Sequence, residues 1–557
     1  MQTDLLFDQF DTLLTTPDDV AHLEAAILQL AVRGKVVRQD PDDEPATELL
    51  KRIRAEKEQL VHEGEIRKTK RLPLIKDAEI PYELPASWMW VRLPEIYRNW
   101  GQKKPDEDFT YIDVSAIDKE RGVIGDDLQV ITLEDAPSRA RKIVKRGTVI
   151  YSTVRPYLLN IAIVDKDFTP PPIVSTAFAV MYPLGGVANK YLYYYLRSQP
   201  FIDFVESQMT GMAYPAISDS KLRLGLFPLP PLAEQKRIVA KVDDLLAQTR
   251  ALAAQLEQAD AALVPTAQAA FHSLLDAQDT TTQHEAWQRI ADHFETLTSD
   301  PRTIAALKQT VLQLAVQGKL VPQDPNDEPA SVLIERTTAE KEWLIQEGKT
   351  RKAKPLPSIK ADEVPYALPA SWVWVRLGEV TNYGSSDKAN GNDLSDNIWV
   401  LDLQDIEKGT SRLLEKVRFS ERPFKSAKNV FCEGDVLYGK LRPYLDKVLV
   451  ADEDGVCSSE IIPIRGYMGI DPYYLRFALK RPDFIAYVNS KTYGVKMPRL
   501  GTTDARMALI PLPPLAEQKR IVAKIEALLA LCDALAAEVA AAEEVRARLL
   551  QAILNGG

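Results

Sequence analysis

The chain has 557 residues, 45 % hydrophobic and 27 % charged, which is the composition of soluble globular domains and enough material for several of them. No apolar run approaches the roughly 20 residues that cross a bilayer, and MQTDLLFDQF lacks a basic start followed by an apolar core, so a cytoplasmic protein is expected. Cys432, Cys457 and Cys532 are scattered without CxxC spacing, which argues against a disulfide framework and against a zinc site. The net charge of −10 is wrong for a uniformly basic nucleic-acid binder, so its distribution matters more than its sum. Residues 84–227 carry 17 Lys/Arg against 16 Asp/Glu and residues 368–510 carry 20 against 19, so the acidity lies in the rest. Two near-neutral stretches are compatible with one-sided DNA binding.

Residues 1–17 carry no strong signal. From Asp18, early acids and the helical spacing of Leu23, Ile27, Leu30 and Ala31 predict a helix that Gly34 ends. QDPDDEPA is a turn, and its Pro-Ala-Thr-Glu end starts a second helix to about Glu63. In GEIRKTKRLPLIK, Gly64 breaks that helix and the prolines keep the chain extended. Arg67, Lys68, Lys70 and Arg71 there are either phosphate contacts or a solvated linker. WMWV, 111–118, 147–164 and 174–183 read as strands, 190–209 as a helix, and 211–227 as loop and strand. PLPPLAEQKRIVAK (228–241) then stops the strand with prolines and opens a helix with acid ahead of base. Ile238, Val242, Leu245, Thr249, Leu252, Leu256, Ala259 and Leu263 follow in steps of four and three, the seam of a coiled coil. About 40 residues make a rod of roughly 60 Å, which Pro265 is expected to kink or end.

The same text then returns. LQLAVRGKVVRQDPDDEPA (28–46) recurs 284 residues on as LQLAVQGKLVPQDPNDEPA (312–330), and LPASWMWVRL (84–93) recurs as LPASWVWVRL (368–377). The basic stretch recurs as GKTRKAKPLPSIK with Lys349, Arg351, Lys352 and Lys354, after a helix expected from Pro329 to about Glu347. PLPPLAEQKRIVAK recurs at 511–524, opening a second long helix seamed by Ile521, Ile525, Leu528, Cys532, Leu535, Val539, Ala542 and Leu549. A period this long is not a solenoid. The enclosed inserts differ in wording but follow one script: IWVLDLQDIEKG, GDVLYGKLRPYLDKVLVA, PYYLRFALKRPDFIAYVNS and YGVKMPRL fill the second. Both inserts therefore read as α+β domains of one fold, diverged in surface.

Signatures of catalysis fail one by one. GDVLYGKL (434–441) fits a phosphate-binding loop until its last position, where Leu441 stands for the Ser or Thr that holds magnesium. DFTPPPIV around Pro171 resembles the Asn/Asp-Pro-Pro-aromatic motif of amino-methyltransferases, but lacks the acid beside the prolines and the aromatic after them. His22-Leu23-Glu24 has the His-x-Glu spacing of zinc deaminases without a Pro-Cys-x-x-Cys, and five histidines show no paired ligand spacing. Two constellations that recur in both inserts are of a binding kind. Arg155-Pro156-Tyr157 and Arg442-Pro443-Tyr444 each follow a strand, with Lys440 ahead of the second. The proline presents a guanidinium and a ring at a domain rim, for DNA contact or as a structural corner. Its recurrence favours phosphate positioning over base choice. Gly211 and Pro215, matched by Gly494 and Pro498, frame a loop with variable filling, where Tyr214, Lys221, Lys496 and Arg499 are candidate DNA contacts.

The repeated GKLVPQ-type segment, the PxPPLxEQxRIV helix start and the paired variable regions resemble the specificity (S, HsdS) subunit of type I restriction–modification systems over nearly the whole chain. The resemblance implies an α+β fold with two similar α/β target recognition domains joined by two long antiparallel coiled-coil helices, and an internal pseudo-twofold repeat. The implied segments are 1–83 (helical), 84–227 (first recognition domain), 228–367 (central region with a long helix), 368–510 (second recognition domain) and 511–557 (C-terminal helix). It further implies a non-catalytic subunit on double-stranded DNA with a bipartite site, the helices acting as spacer and as seat for two methyltransferase subunits, with restriction subunits joining through those. S-adenosylmethionine, ATP and magnesium would belong to the partners, none to this chain. A complete helical segment precedes the first recognition domain, so the N-terminal helix is expected to continue the bundle that the C-terminal helix begins. Two rivals stand: a coiled-coil scaffold with two protein-binding domains, which predicts no salt-dependent DNA affinity, and an enzyme with an unfamiliar site.

Overall fold

The computed structural model describes residues 13–66, 72–211, 214–348 and 354–555. Arg67, Lys68, Lys70, Arg71, Lys349, Arg351 and Lys352 lie outside the described residues. The chain forms two compact units, one running up to Ala259 and taking in the stretch from Glu544 on, the other Asp260–Glu543.

Each unit carries the same helical frame. Helix Pro17–Val32 starts at Thr16, whose hydroxyl accepts the Asp19 N–H while Asp19 accepts the Thr16 N–H. Helix Pro301–Val316 starts at Asp300, which accepts the Arg302 N–H. Proline at the first helical position suits both starts. Gly34 and Gly318, each at φ +71°, end these helices where a Cβ would run into Pro85 or Pro369 at 2.6 and 2.4 Å. Helices Ala46–His62 and Ala330–Gln346 follow, as the sequence predicts.

Strand Met89–Arg92 pairs antiparallel with Leu226–Leu229, and Val373–Arg376 pairs with Leu509–Leu512 in the same register. The two ends of each insert are thus stitched together, so an insert can diverge without moving its frame. Inside the first insert, Phe109–Ile112 pairs parallel with Pro172–Ser175, flanked by Gln129–Ile131 and Ala140–Ile143. An antiparallel sheet runs Tyr97–Arg98, Phe178–Pro183, Val149–Ser152, Ile161–Ile163. The second insert repeats this with a parallel Trp399–Leu401/Gly455–Cys457 pair and a sheet of Val448–Val450, Val436–Gly439 and Ile461–Ile464. The single helix expected at 190–209 is two, Asn189–Leu196 and Gln199–Gln208, as are Pro472–Lys480 and Pro482–Ser490. In the second insert the break falls at Arg481, which is extended because the following Pro482 disfavours the α conformation in its predecessor; in the first it falls at Ser198, one residue further from Pro200.

The PLPPLAEQKRIVAK line is a clasp. Glu234 accepts from Trp88 Nε1 (2.8 Å) and Gln39 Nε2 (2.5 Å), and Glu517 accepts from Trp372 (2.9 Å) and Gln323 (2.5 Å). Gln235 accepts the Ala188 N–H and donates to Pro230 O, both 3.0 Å, while Gln518 accepts the Asp471 N–H at 2.9 Å. Arg237 pairs with Asp43 and Arg520 with Asp327, each at 2.6 Å. The line therefore ties long helix, frame and insert at one point. Burial pushes the carboxyls of Glu234 and Glu517 up, against the donors that hold them.

The long helices are Leu232–Asp276 and Leu515–Asn555. Of the two outcomes expected at Pro265, a kink or an end, the end does not occur: Pro265 sits inside the first helix. The turns beyond it are held by burial of Ala267, Phe271 and Leu274 against Ala286, Ile290, Leu297 and Leu314. At the other helix end, Leu549 is exposed and its neighbour Leu550 is buried with Ile553 in the core of the first unit. A straight helix drifts by about 20° per heptad, enough to move the apolar face off the predicted seam. Arg546 there donates to Leu13 O (2.8 Å) and pairs with Asp19 (2.6 Å). The N-terminal helix thus packs with the C-terminal one, as the circular arrangement predicts. Among the described residues no helix is long and apolar enough to cross a membrane.

Candidate nucleic-acid interface

Strands Val149–Ser152 and Val436–Gly439 each run into an Arg-Pro-Tyr turn and return as Ile161–Ile163 and Val448–Val450. Proline fixes its own φ and the turn must reverse within a few residues, so the flanking residues take the left-handed conformation. Arg155 (φ 47°) and Leu159 (φ 54°) flank the first turn, Arg442 (φ 50°) and Asp446 (φ 49°) the second. Among the described residues one other non-glycine has positive φ, Ser411, and its hydroxyl donates to Asp446 O at 2.7 Å. Each such residue costs on the order of 1–2 kcal/mol, and strain of this kind concentrates at functional sites.

The second recurring motif converges on the first. The Arg155 N–H donates to Pro215 O and the Arg442 N–H to Pro498 O, both at 2.7 Å. The Arg155 guanidinium lies 4.8 Å over the Tyr214 ring, and Arg442 Nη2 donates to Lys496 O at 3.3 Å. In both arginines Nε is buried and has no hydrogen-bond partner among the described residues. Tyr157 and Tyr444 stand exposed beside them, as does Tyr214. The two motifs picked out separately in the sequence therefore build one rim in each insert, a pinned arginine turn against a glycine–proline loop.

The candidates are not equally free. Lys221 donates to Gln208 O at 2.8 Å, and Arg499 is held by Glu460 at 3.0 Å, so both are engaged within their own insert. Arg155, Lys440, Arg442 and Lys496 have no carboxylate partner among the described residues. Sequence reasoning missed the apolar loop tip, Tyr493, Val495 and Met497, all exposed, although an apolar YGVKMP loop was its visible signal.

Behind the second turn lies a buried polar hub. Lys480 Nζ reaches Asp446 Oδ2 (2.6 Å), Ser411 Oγ (2.7 Å) and Gly409 O (2.9 Å). Burial pushes the Asp446 carboxyl up to about 6 against the pull of Lys480, and burial lowers the Lys480 ammonium. In the first insert Leu159 takes the place of Asp446, and Arg197 donates to Leu159 O at 3.4 Å.

The catalytic look-alikes dissolve into structure. Val436–Gly439 is a central strand whose backbone pairs on both sides, so it cannot cradle a phosphate. His22 Nδ1 lies 2.8 Å from Asp18 O within its own helix, and Glu24 accepts from Thr249. Pro171 and Pro172 line a cleft of about 470 Å³ with Trp100, Phe109, Phe168 and Tyr182, at the end of strand Val149–Ser152 away from the arginine turn. No group of metal-ligating side chains occurs among the described residues.

The family model "Type I restriction modification DNA specificity domain" matches residues 95–259 and 369–542. The chain is 33 % identical to the type I restriction enzyme EcoAI specificity subunit of Escherichia coli, over 96 % of this chain and 93 % of that one. It is 32 % identical to the EcoEI specificity subunit of the same organism, with the same coverage. Among solved structures, the HsdS subunit from Thermoanaerobacter tengcongensis aligns at 25 % identity and a TM-score of 0.43, over 86 % of this chain and 99 % of that one.

Proposed function

Since the chain belongs to the family of type I restriction–modification DNA specificity subunits, non-catalytic components with two target recognition domains, we propose that it reads a bipartite duplex sequence, one half with each insert. The observation that carries this reading is the recurrence, in two inserts of unlike sequence, of one strained arginine turn pinned at 2.7 Å to one glycine–proline loop. A shared anchor beside a variable loop is what DNA reading asks for: phosphate contacts set register, and base contacts specify. Arg155 and Arg442 take the first role, and Tyr214, Lys496 and their loop neighbours the second.

The long helices set the number of unread base pairs between the halves and seat two methyltransferase subunits, with restriction subunits joining through those. A helix of 45 residues is about 68 Å long, ample for half-sites roughly 34 Å apart. S-adenosylmethionine, ATP and magnesium are held by those partners, and this chain supplies address alone. Methylome sequencing of a host with and without the gene tests the reading. Loss of one bipartite methylated motif is expected; an unchanged methylome contradicts it, and DNA binding indifferent to salt and sequence would favour a protein-binding scaffold instead.

A further inference from the structure

The loop tip of the second insert is built unlike an ordinary surface loop. Thr492–Tyr493 pairs with Arg499–Leu500 as a short two-stranded ribbon, and the residues between them project from it. Gly494 makes the reversal at φ +92°. The loop is held rigidly to the arginine turn by the bond from the Arg442 N–H to Pro498 O (2.7 Å) and by Arg442 Nη2 on Lys496 O (3.3 Å). Yet its tip is apolar and bare: Val495 is 101 % exposed, Tyr493 61 % and Met497 46 %. Around it stand Lys440, Arg442 and Lys496, without carboxylate partners among the described residues.

Apolar side chains fixed on a rigid ribbon and rimmed by unpaired cations complement a surface that is apolar within and anionic at its edges. Such a surface is the major groove of duplex DNA, where phosphates form the rails, a two-stranded ribbon fits the width, and thymine presents its C5 methyl group. Resting on the function proposed above, we propose that Val495 and Met497, with Lys496 between them, enter the major groove of the half-site bound by the second insert and read a thymine through its methyl group. The first insert uses different chemistry at this place. Tyr214 stands at the place of Met497 with its ring under the Arg155 guanidinium, while Met212 and Ala213 lie outside the described residues, so the thymine-methyl reading is proposed for the second insert.

The test uses the full chain in its modification complex and DNA carrying its site, with the second half-site identified by exchanging residues 84–227 and noting which half stays unchanged. Uracil replaces thymine throughout one half-site at a time. Replacement in the second half-site is expected to weaken binding about fourfold for each contacted methyl. In a Val495→Ser, Met497→Ser chain the uracil effect disappears; Val495→Ser alone, fully exposed, leaves the unfolding midpoint unchanged and removes part of it. The proposal is overturned if uracil in the second half-site is neutral, if that half-site holds no A·T pair, or if the tip variants weaken binding while the uracil effect persists, as insertion between base pairs would give. Absence of any sequence-specific binding by the unaltered chain overturns the functional reading instead.

Discussion

Arg155 and Arg442 occupy a backbone region that costs an L-residue energy, and among the described residues the other non-glycine positive φ values fall on Leu159 and Asp446 at the same two turns and on Ser411, which bonds to Asp446. That cost separates two substitutions. Arg442→Gly relieves the strain and is expected to keep or raise the unfolding midpoint while lowering DNA affinity; Arg442→Ala keeps the strain and lowers both. In titrations against salt, loss of either arginine reduces the slope of log K against log [salt] by about one and leaves base preference as it was. A slope that does not change would place these arginines away from phosphate. The turn itself was legible from Arg-Pro-Tyr, but its left-handed residues were not, because Arg and Leu carry no signal of positive φ and Asp only a weak one.

The Asp446–Lys480 pair gives a second test at this scale. Both groups are buried, so removing one strands the other: Asp446→Leu or Lys480→Met alone is expected to cost about 3–5 kcal/mol, and the double variant to recover most of it. The first insert already has Leu159 at the corresponding position. Asp446 rises from 3.8 to about 6 on folding, so its contribution is fully present below pH 4 and is lost as pH rises to about 6. Urea unfolding of Asp446→Leu across that interval lacks this component.

At the scale of elements, the recurring lines were legible because they are copied twice, and their physical meaning is now plain. PLPPLAEQKRIVAK marks the clasp, with Glu234 and Glu517 accepting from a tryptophan and a glutamine. Glu234→Ala leaves the buried Trp88 N–H without an acceptor and is expected to cost about 1–3 kcal/mol in chemical denaturation. Elements whose ends depend on distant packing were not legible. Pro265 promised a kink or an end to the first long helix; it is not the end, because burial of Phe271 and Leu274 carries the helix on past it. Pro265→Ala should therefore raise stability, by up to about 3 kcal/mol, since the helix already exists without proline's help. The slip from Leu549 to Leu550 has the same origin, a face chosen by the core of the first unit and not by the heptad count.

At the scale of the whole molecule, two frames hold their inserts by the same paired strands, Met89–Arg92 with Leu226–Leu229 and Val373–Arg376 with Leu509–Leu512. Because those ends are adjacent and identically registered, an insert is expected to be exchangeable as a unit. That much was visible in the sequence as twin texts around unlike fillings; the pairing of the insert's two ends was not, since 89 and 229 lie far apart in the chain. Replacing residues 84–227 by the equivalent segment of a relative with a different motif, and sequencing the methylome of the host, addresses this directly. The account predicts that one half of the methylated motif changes while the other half and the spacing stay fixed. A motif altered in both halves, or in neither, would contradict it.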